Sequence, residues 1–212
     1  MKKLIILLIG ITAISRFAFA QSIEGRAEFD KTDYPAVVGE FAFTSDVVED
    51  VIVADMKEKG FKKYNNKKGY MIFEGIQFTQ ISPKAINFYI SIQEKKKEKE
   101  KTIVTFLLSL GLTNFIGSGE DPSMINNAKT YMNELAPKFV AKKLDNDIEA
   151  QQKVYDKAKK DYEKLISEGE SLVKKKADIE NDIVKNKADQ EIQKALMDKE
   201  NTNLQNLLNQ KK

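Results

Sequence analysis

AINFYISIQEKKKEKEKTIVTFLLSLG, Ala85 to Gly111, sets two apolar runs on either side of a charged break. In the first, Ile86, Phe88, Ile90 and Ile92 fall on one face, and Asn87, Tyr89, Ser91 and Gln93 fall on the other. Strict alternation of this kind belongs to a strand with one face covered and the other at least partly solvated. The second run, from Lys101, is apolar on both sides and belongs nearer the centre of a sheet. Two such runs joined by a short polar link pair as an antiparallel hairpin. The link's charges nearly cancel, with Lys95, Lys96, Lys97, Lys99 and Lys101 against Glu94, Glu98 and Glu100. That pattern marks a solvated hairpin end, which also keeps neighbouring apolar strands from pairing with other chains. The polar face of the first strand, Asn87, Tyr89, Ser91 and Gln93, is the candidate binding surface of the sheet.

Upstream, Val37, Gly39, Phe41 and Phe43 alternate onto one face of a strand. TSDVVEDVIVADMKEKG then places Val47, Val48, Val51, Ile52 and Met56 on one helical stripe. Asp46 and Glu49 have the spacing of a capping box, and Gly60 stops the helix. FKKY, the turn-rich Asn65 to Gly69, and YMIFEGIQF from Tyr70 form an expected hairpin, with Gly75 a bulge. Downstream of TNFIGSGED, Asp121 is a natural N-cap and Pro122 suits the first helical position. Met124, Ile125, Ala128, Tyr131, Met132 and Leu135 make the apolar face of this helix, which Pro137 is expected to end.

The fold class is therefore α+β: a small antiparallel sheet backed by helices in the order β-α-β-β-β-β-α, over residues 37–136. Residues 21–36 read as a linker. Residues 139–212 contain no Pro and one Gly, and carry a 4-3 frame through Ile148, Gln151, Tyr155, Ala158, Tyr162, Leu165, Gly169, Leu172, Lys176, Ile179 and Ile183. Ile148, Tyr155, Ala158, Tyr162, Leu165, Leu172, Ile179 and Ile183 are apolar and define a coiled-coil seam. The segment is either one long helix, in which Leu165 and Leu172 keep register across Gly169, or a helical hairpin turning there. The frame turns polar at Asn186, Gln190 and Gln193 before Leu204, Leu207 and Leu208 close the chain.

The first twenty residues, MKKLIILLIGITAISRFAFA, combine Lys2 and Lys3, an apolar core over 4–14 and an Ala18-Phe19-Ala20 cleavage pattern. They read as a signal peptide cleaved before Gln21, so a periplasmic location is expected, with secretion the alternative. The core is shorter than a membrane span, and no transmembrane segment is expected after cleavage. Removing Lys2, Lys3 and Arg16 from 35 basic residues leaves 32, matched by 32 acidic ones. No excess positive charge remains for nucleic acid.

There is no Cys and no His. Disulfides, thiol chemistry, serine-histidine triads and most zinc or copper sites are thereby excluded. No catalytic residue, cofactor-binding residue or metal ligand is assigned. Asp145, Asp147, Glu149 and Asp156 imitate calcium-loop spacing, but Ala150 stands where the loop requires glycine. In GSGED at 117–121, Glu120 and Asp121 already occupy the helix N-terminus that an anion would use.

The cleavable leader, FAFTSDVVEDVIVADMKEKGF at 41–61, LGLTNF at 110–115 before a Pro-started helix, and the coiled-coil tail together resemble exported proteins of Bacteroidota-type Gram-negative bacteria. That resemblance implies a periplasmic location and carries over no functional residue. The expected function is a non-enzymatic periplasmic or envelope protein whose α+β domain recognises a partner. Its tail self-associates or docks on a helical protein. A carrier of small ligands or lipids, and a hydrolase built on carboxylates or a Ser/Lys pair, are the alternatives.

Overall fold

The computed structural model describes residues 21–111 and 114–210. The expected signal peptide lies outside the described residues. Two compact units divide at residue 148.

The first unit is the α+β domain. Its strands are β1 (Ile23–Phe29), β2 (Thr32–Phe41), β3 (Asn65–Lys67), β4 (Tyr70–Ile76), β5 (Ile86–Lys95) and β6 (Glu98–Ser109). Helix α1 (Ser45–Glu58) follows β2, and α2 (Pro122–Gln210) follows β6. All pairings are antiparallel, in the order β1-β2-β6-β5-β4-β3. The hairpin around the charged link forms as expected, β5 ending at Lys95 and β6 starting at Glu98, and these two apolar strands are the central pair.

The α+β class holds, but residues 21–36 are not a linker. They form β1 and the first half of β2, joined at Asp30 and Lys31, which both take left-handed backbone (φ 50 and 66). That is the geometry of a two-residue hairpin turn matched to strand twist. The element order therefore gains a leading strand. The β3 strand is also displaced. Residues 61–64 stay outside the sheet, Asn65–Lys67 pair with β4, and only Lys68 (φ 54) and Gly69 (φ 80) turn. The bulge at Gly75 is present, with a register shift between Phe73 and Ile76 and a positive φ of 62.

The stripe expected on α1 is buried as a set, together with Asp55. Gly60 (φ 95) follows the helix end, as a left-handed glycine should. The capping box does not form. The helix starts at Ser45 behind Thr44, which makes no side-chain cap, and Asp46 falls in the first turn, where its charge complements the helix dipole. At the start of α2, Asp121 does cap, its Oδ1 accepting Met124 N–H at 2.9 Å.

Helix α2 contributes Met124, Ile125, Ala128, Tyr131, Met132, Leu135, Ala136 and Phe139 to the core, and α1 packs beside it on the same face of the sheet. Gly39 on β2 allows this approach. A Cβ there would lie 2.7 Å from Met132 Sδ. Pro137 does not end α2 but sits inside it. A proline forfeits one backbone hydrogen bond. Ala136 and Phe139 beside it are buried, with the Phe139 ring 4.9 Å from Phe41, and that packing carries the helix through.

The opposite face of the sheet carries a second, smaller core of Ala36, Tyr70, Ile72, Tyr89, Leu107 and Phe115, backed by Phe29 and Tyr34. Phe29, on an edge strand, reaches Tyr70 and Tyr89 at 5.6 and 5.1 Å between ring centres. Tyr70 Oη donates to Glu28 O at 3.1 Å. The end of the β1–β2 hairpin is thus folded over strands four and five of the sheet. In the second unit, residues 149–210 are helical without interruption, Gly169 included, so the hairpin alternative is set aside.

Candidate interaction surface

Of the four residues assigned to a sheet-face binding surface, three are internal. Asn87 Oδ1 accepts Gly75 N–H at 2.8 Å and its Nδ2 donates to Gly111 O at 3.0 Å, so its amide ties the β4 bulge to the end of β6. Tyr89 is buried between Phe29 and Phe115. Ser91 is buried and accepts Gln93 Nε2 at 3.2 Å; Gln93 alone is exposed. The expectation of a partly solvated face is corrected, because Phe29, Tyr34 and Phe115 cover it. Ile23, Gly25, Ala27 and Phe29 alternate along the overlooked strand, and that was the readable sign of the cover.

The charged hairpin end is wet, as expected, but ordered. Lys95 Nζ lies 3.1 Å from Glu40 Oε1 and 3.2 Å from Glu98 Oε1, and Lys101 also pairs with Glu98 and Glu40. The bonds from Glu40 and then Glu98 raise the Lys95 pKa, and Lys101 followed by Lys95 lowers that of Glu98. Solvent screening keeps the energetic worth of such pairs small.

A polar knot joins the two helices of the domain. Asp55 of α1, 3% exposed, accepts from Tyr131 Oη at 2.7 Å and pairs with Lys138, both on α2. Lys59 Nζ approaches Asp55 at 3.7 Å and lies over the Tyr131 ring. Burial first, then the Asp55 hydrogen bond, raises the Tyr131 pKa far above its ordinary value, so the phenol stays a donor. The bond to Asp55 likewise raises Lys138. With both carboxylate oxygens engaged, Asp55 is placed to lock the two helices together. An open depression of about 270 Å³, lined by Lys59, Phe61 and Gln77 to Gln80, lies alongside. A second, of about 440 Å³, has Asp46, Glu49 and Asp50 on its wall.

Among the described residues, no three carboxylates are arranged to hold a metal ion. The calcium-like residues fan out along α2, where Asp147 pairs with Lys143 and Glu149 with Lys153, each at 2.6 Å. Gly117 N–H is taken by Glu120 Oε2 at 2.8 Å and Met124 N–H by Asp121 Oδ1, so the acids of GSGED occupy their own loop and helix start. No helix among the described residues is long and apolar enough to cross a membrane.

The feature without a structural account inside the chain is the apolar seam of α2. Ile148, Tyr155, Tyr162, Leu165, Leu172, Ile179 and Ile183 are all exposed, Leu165 at 64% and Leu172 at 65%. Ala158 is exposed on the same row. Val154, Ile166, Val173, Leu196 and Leu208 widen it, again exposed. Large aliphatic side chains repeated at 4-3 spacing form the knobs and holes of helix–helix packing. An uncovered apolar row of this length marks an association surface. Comparison with protein-family models, with curated proteins and with solved structures returned no match, so the geometry of the chain itself must carry the functional reading.

Proposed function

We propose that this is a non-enzymatic, exported envelope protein that works by association. The seam of α2 packs against another helix, and the α+β domain is the folded body that this tail carries. One observation carries the reading: seven large apolar side chains at coiled-coil spacing, all exposed on an uninterrupted helix. Burying such a row contributes about 25 cal/mol per Å² of apolar surface. The leader-like N-terminus and the balanced charge of the remaining chain support export and argue against nucleic acid as the partner.

A photo-crosslinking amino acid placed at Tyr162 or Leu172 of the full chain, expressed in an exporting Gram-negative host, tests this directly. A discrete adduct, to another copy or to a different protein, is expected at both positions. Absence of any adduct at both overturns the association reading. Mass spectrometry of the envelope-recovered chain should find an N-terminus at Gln21; a chain retained in the cytoplasm with residues 1–20 attached overturns export.

A further inference from the structure

We propose that the seam of α2 is covered by a second copy of this chain, lying parallel and in register. The inference rests on the association reading above and names its partner. In the 4-3 frame, Ile148, Tyr155, Tyr162 and Ile183 occupy the first core position of the heptad (a). Ala158, Leu165, Leu172 and Ile179 occupy the second (d). The position before each a residue (g) and the position after each d residue (e) flank the seam and set partner choice and orientation.

From residue 147 to 194, the charged residues of the g row are acidic except Lys175. Those of the e row are basic except Glu180. In a parallel, in-register pair each g residue faces the e residue five positions further along the other chain. The two exceptions then meet each other. Lys175 faces Glu180, and the next two heptads bring Asp182 to Lys187 and Asp189 to Lys194. Each contact occurs twice by symmetry, and no like-charged g–e pair arises anywhere along this stretch. An antiparallel pair sets g against g and e against e, bringing a mostly acidic row onto itself and a mostly basic row onto itself.

The three opposite pairs also fall where the core turns polar, at Lys176, Asn186, Gln190 and Gln193. There the apolar seam specifies register least, and the flanking charges specify it most. Within one chain, Glu180 meets only the Lys176 ammonium, at 3.7 Å across open solvent. Glu180 therefore remains available to Lys175 of a second copy.

Two triple variants of the full chain test orientation. The first is Glu180→Lys, Lys187→Glu and Lys194→Glu; the second is Lys175→Glu, Asp182→Lys and Asp189→Lys. Light scattering behind size exclusion should give a dimer for the unmodified chain. Each variant alone should associate about tenfold or more weakly, and an equimolar mixture should regain a dimer of one copy of each. In an antiparallel pair in which the three changed positions of one row face each other, reversing all three leaves the sign of every contact among them unchanged. Two variants that dimerise as well as the parent therefore overturn the parallel arrangement. A parent chain that stays monomeric at 100-fold excess over working concentration overturns the second copy as occupant. Adducts of foreign mass at Tyr162 would still uphold the association reading in that case. Register has its own readout, independent of charge. Ala158→Cys, in a chain with no other cysteine, should link to its own counterpart under mild oxidation, and failure to link refutes the in-register pairing.

Discussion

The tail is richer in charged side chains than the domain and poorer in apolar ones, and the two regions use their apolar residues in opposite ways. In the domain, Phe88, Phe106 and Tyr131 close on one another, with ring centres 4.8 to 6.3 Å apart. Every buried polar side-chain atom among the described residues has a partner. In the tail, Leu165, Leu172 and Val173 stand at 64 to 70% exposure. The difference is one of dimensionality. A sheet covered by two helices closes a core with its own material. A single helix with an apolar stripe has no second layer of its own to bury that stripe against. The domain closes its own core; the tail leaves its apolar row exposed.

The comparison can be broken from the domain side. Phe106→Ala removes a fully buried ring between Phe88 and Tyr131, and chemical denaturation should show a loss of about 3–5 kcal/mol. The association state should not change while the domain remains folded. If the tail's self-association fell in parallel, the two regions would not be independent.

Asp55→Ala gives a somewhat smaller loss, about 2–4 kcal/mol, because it strands the Tyr131 hydroxyl in the core. The same knot predicts a pH response. Tyr131 and Lys138 both have raised folded-state pKa values. Their contribution is present below the ordinary Tyr and Lys values, and it falls as pH climbs past about 10, where the unfolded chain loses those protons first. Thermal melts from pH 8 to 11 should show the domain weakening at the alkaline end, less steeply in Tyr131→Phe. A flat profile would remove the knot from the account of stability.

The smallest expected effect sharpens the tail side. A Cβ added at Gly169 meets nothing within 4 Å. Gly169→Ala should therefore raise helix stability by about 1 kcal/mol, read as a higher midpoint for loss of helical circular dichroism. A fall instead would mean that the glycine is needed for close helix approach in the assembly.

What could be read from residues alone follows how far each signal reaches along the chain. The α1 stripe, the β5–β6 pair and the buried face of α2 depend on periods of a few residues, and all are where their spacing put them. The seam residues share one row for the same reason. Pro137 was misjudged because a local rule about hydrogen bonds yielded to packing at Ala136 and Phe139. β1 was missed although Ile23, Gly25, Ala27 and Phe29 alternate with Glu24, Arg26 and Glu28, because glycine and alanine make the row only weakly apolar. Its anchors lie far off: Phe29 finds Tyr89, sixty residues later. For the same reason Asn87, Tyr89 and Ser91 could be placed on one face but not assigned to the interior. Asp55 left a readable trace, an acid among Ile52 and Met56 on a buried stripe, but its partners Tyr131 and Lys138 come from another helix.

The stitch between the start of the sheet and α2 sets an order of events during synthesis. Ser22 N–H donates to Asn133 Oδ1 at 3.1 Å, and Ser22 Oγ to Lys129 O at 3.1 Å. Ser22, just before β1, therefore cannot be tied down until a segment more than a hundred residues later is present. Such long closures are slow compared with local helix formation. Residues 129–133 precede the tail, so the chain presents everything the domain needs before it presents the seam, in synthesis and in N-terminus-first export alike. The sheet can close with its own residues before the exposed apolar row of α2 follows it along the chain. If copies pair through that row as proposed, the order keeps unfinished sheet edges of one chain away from those of another.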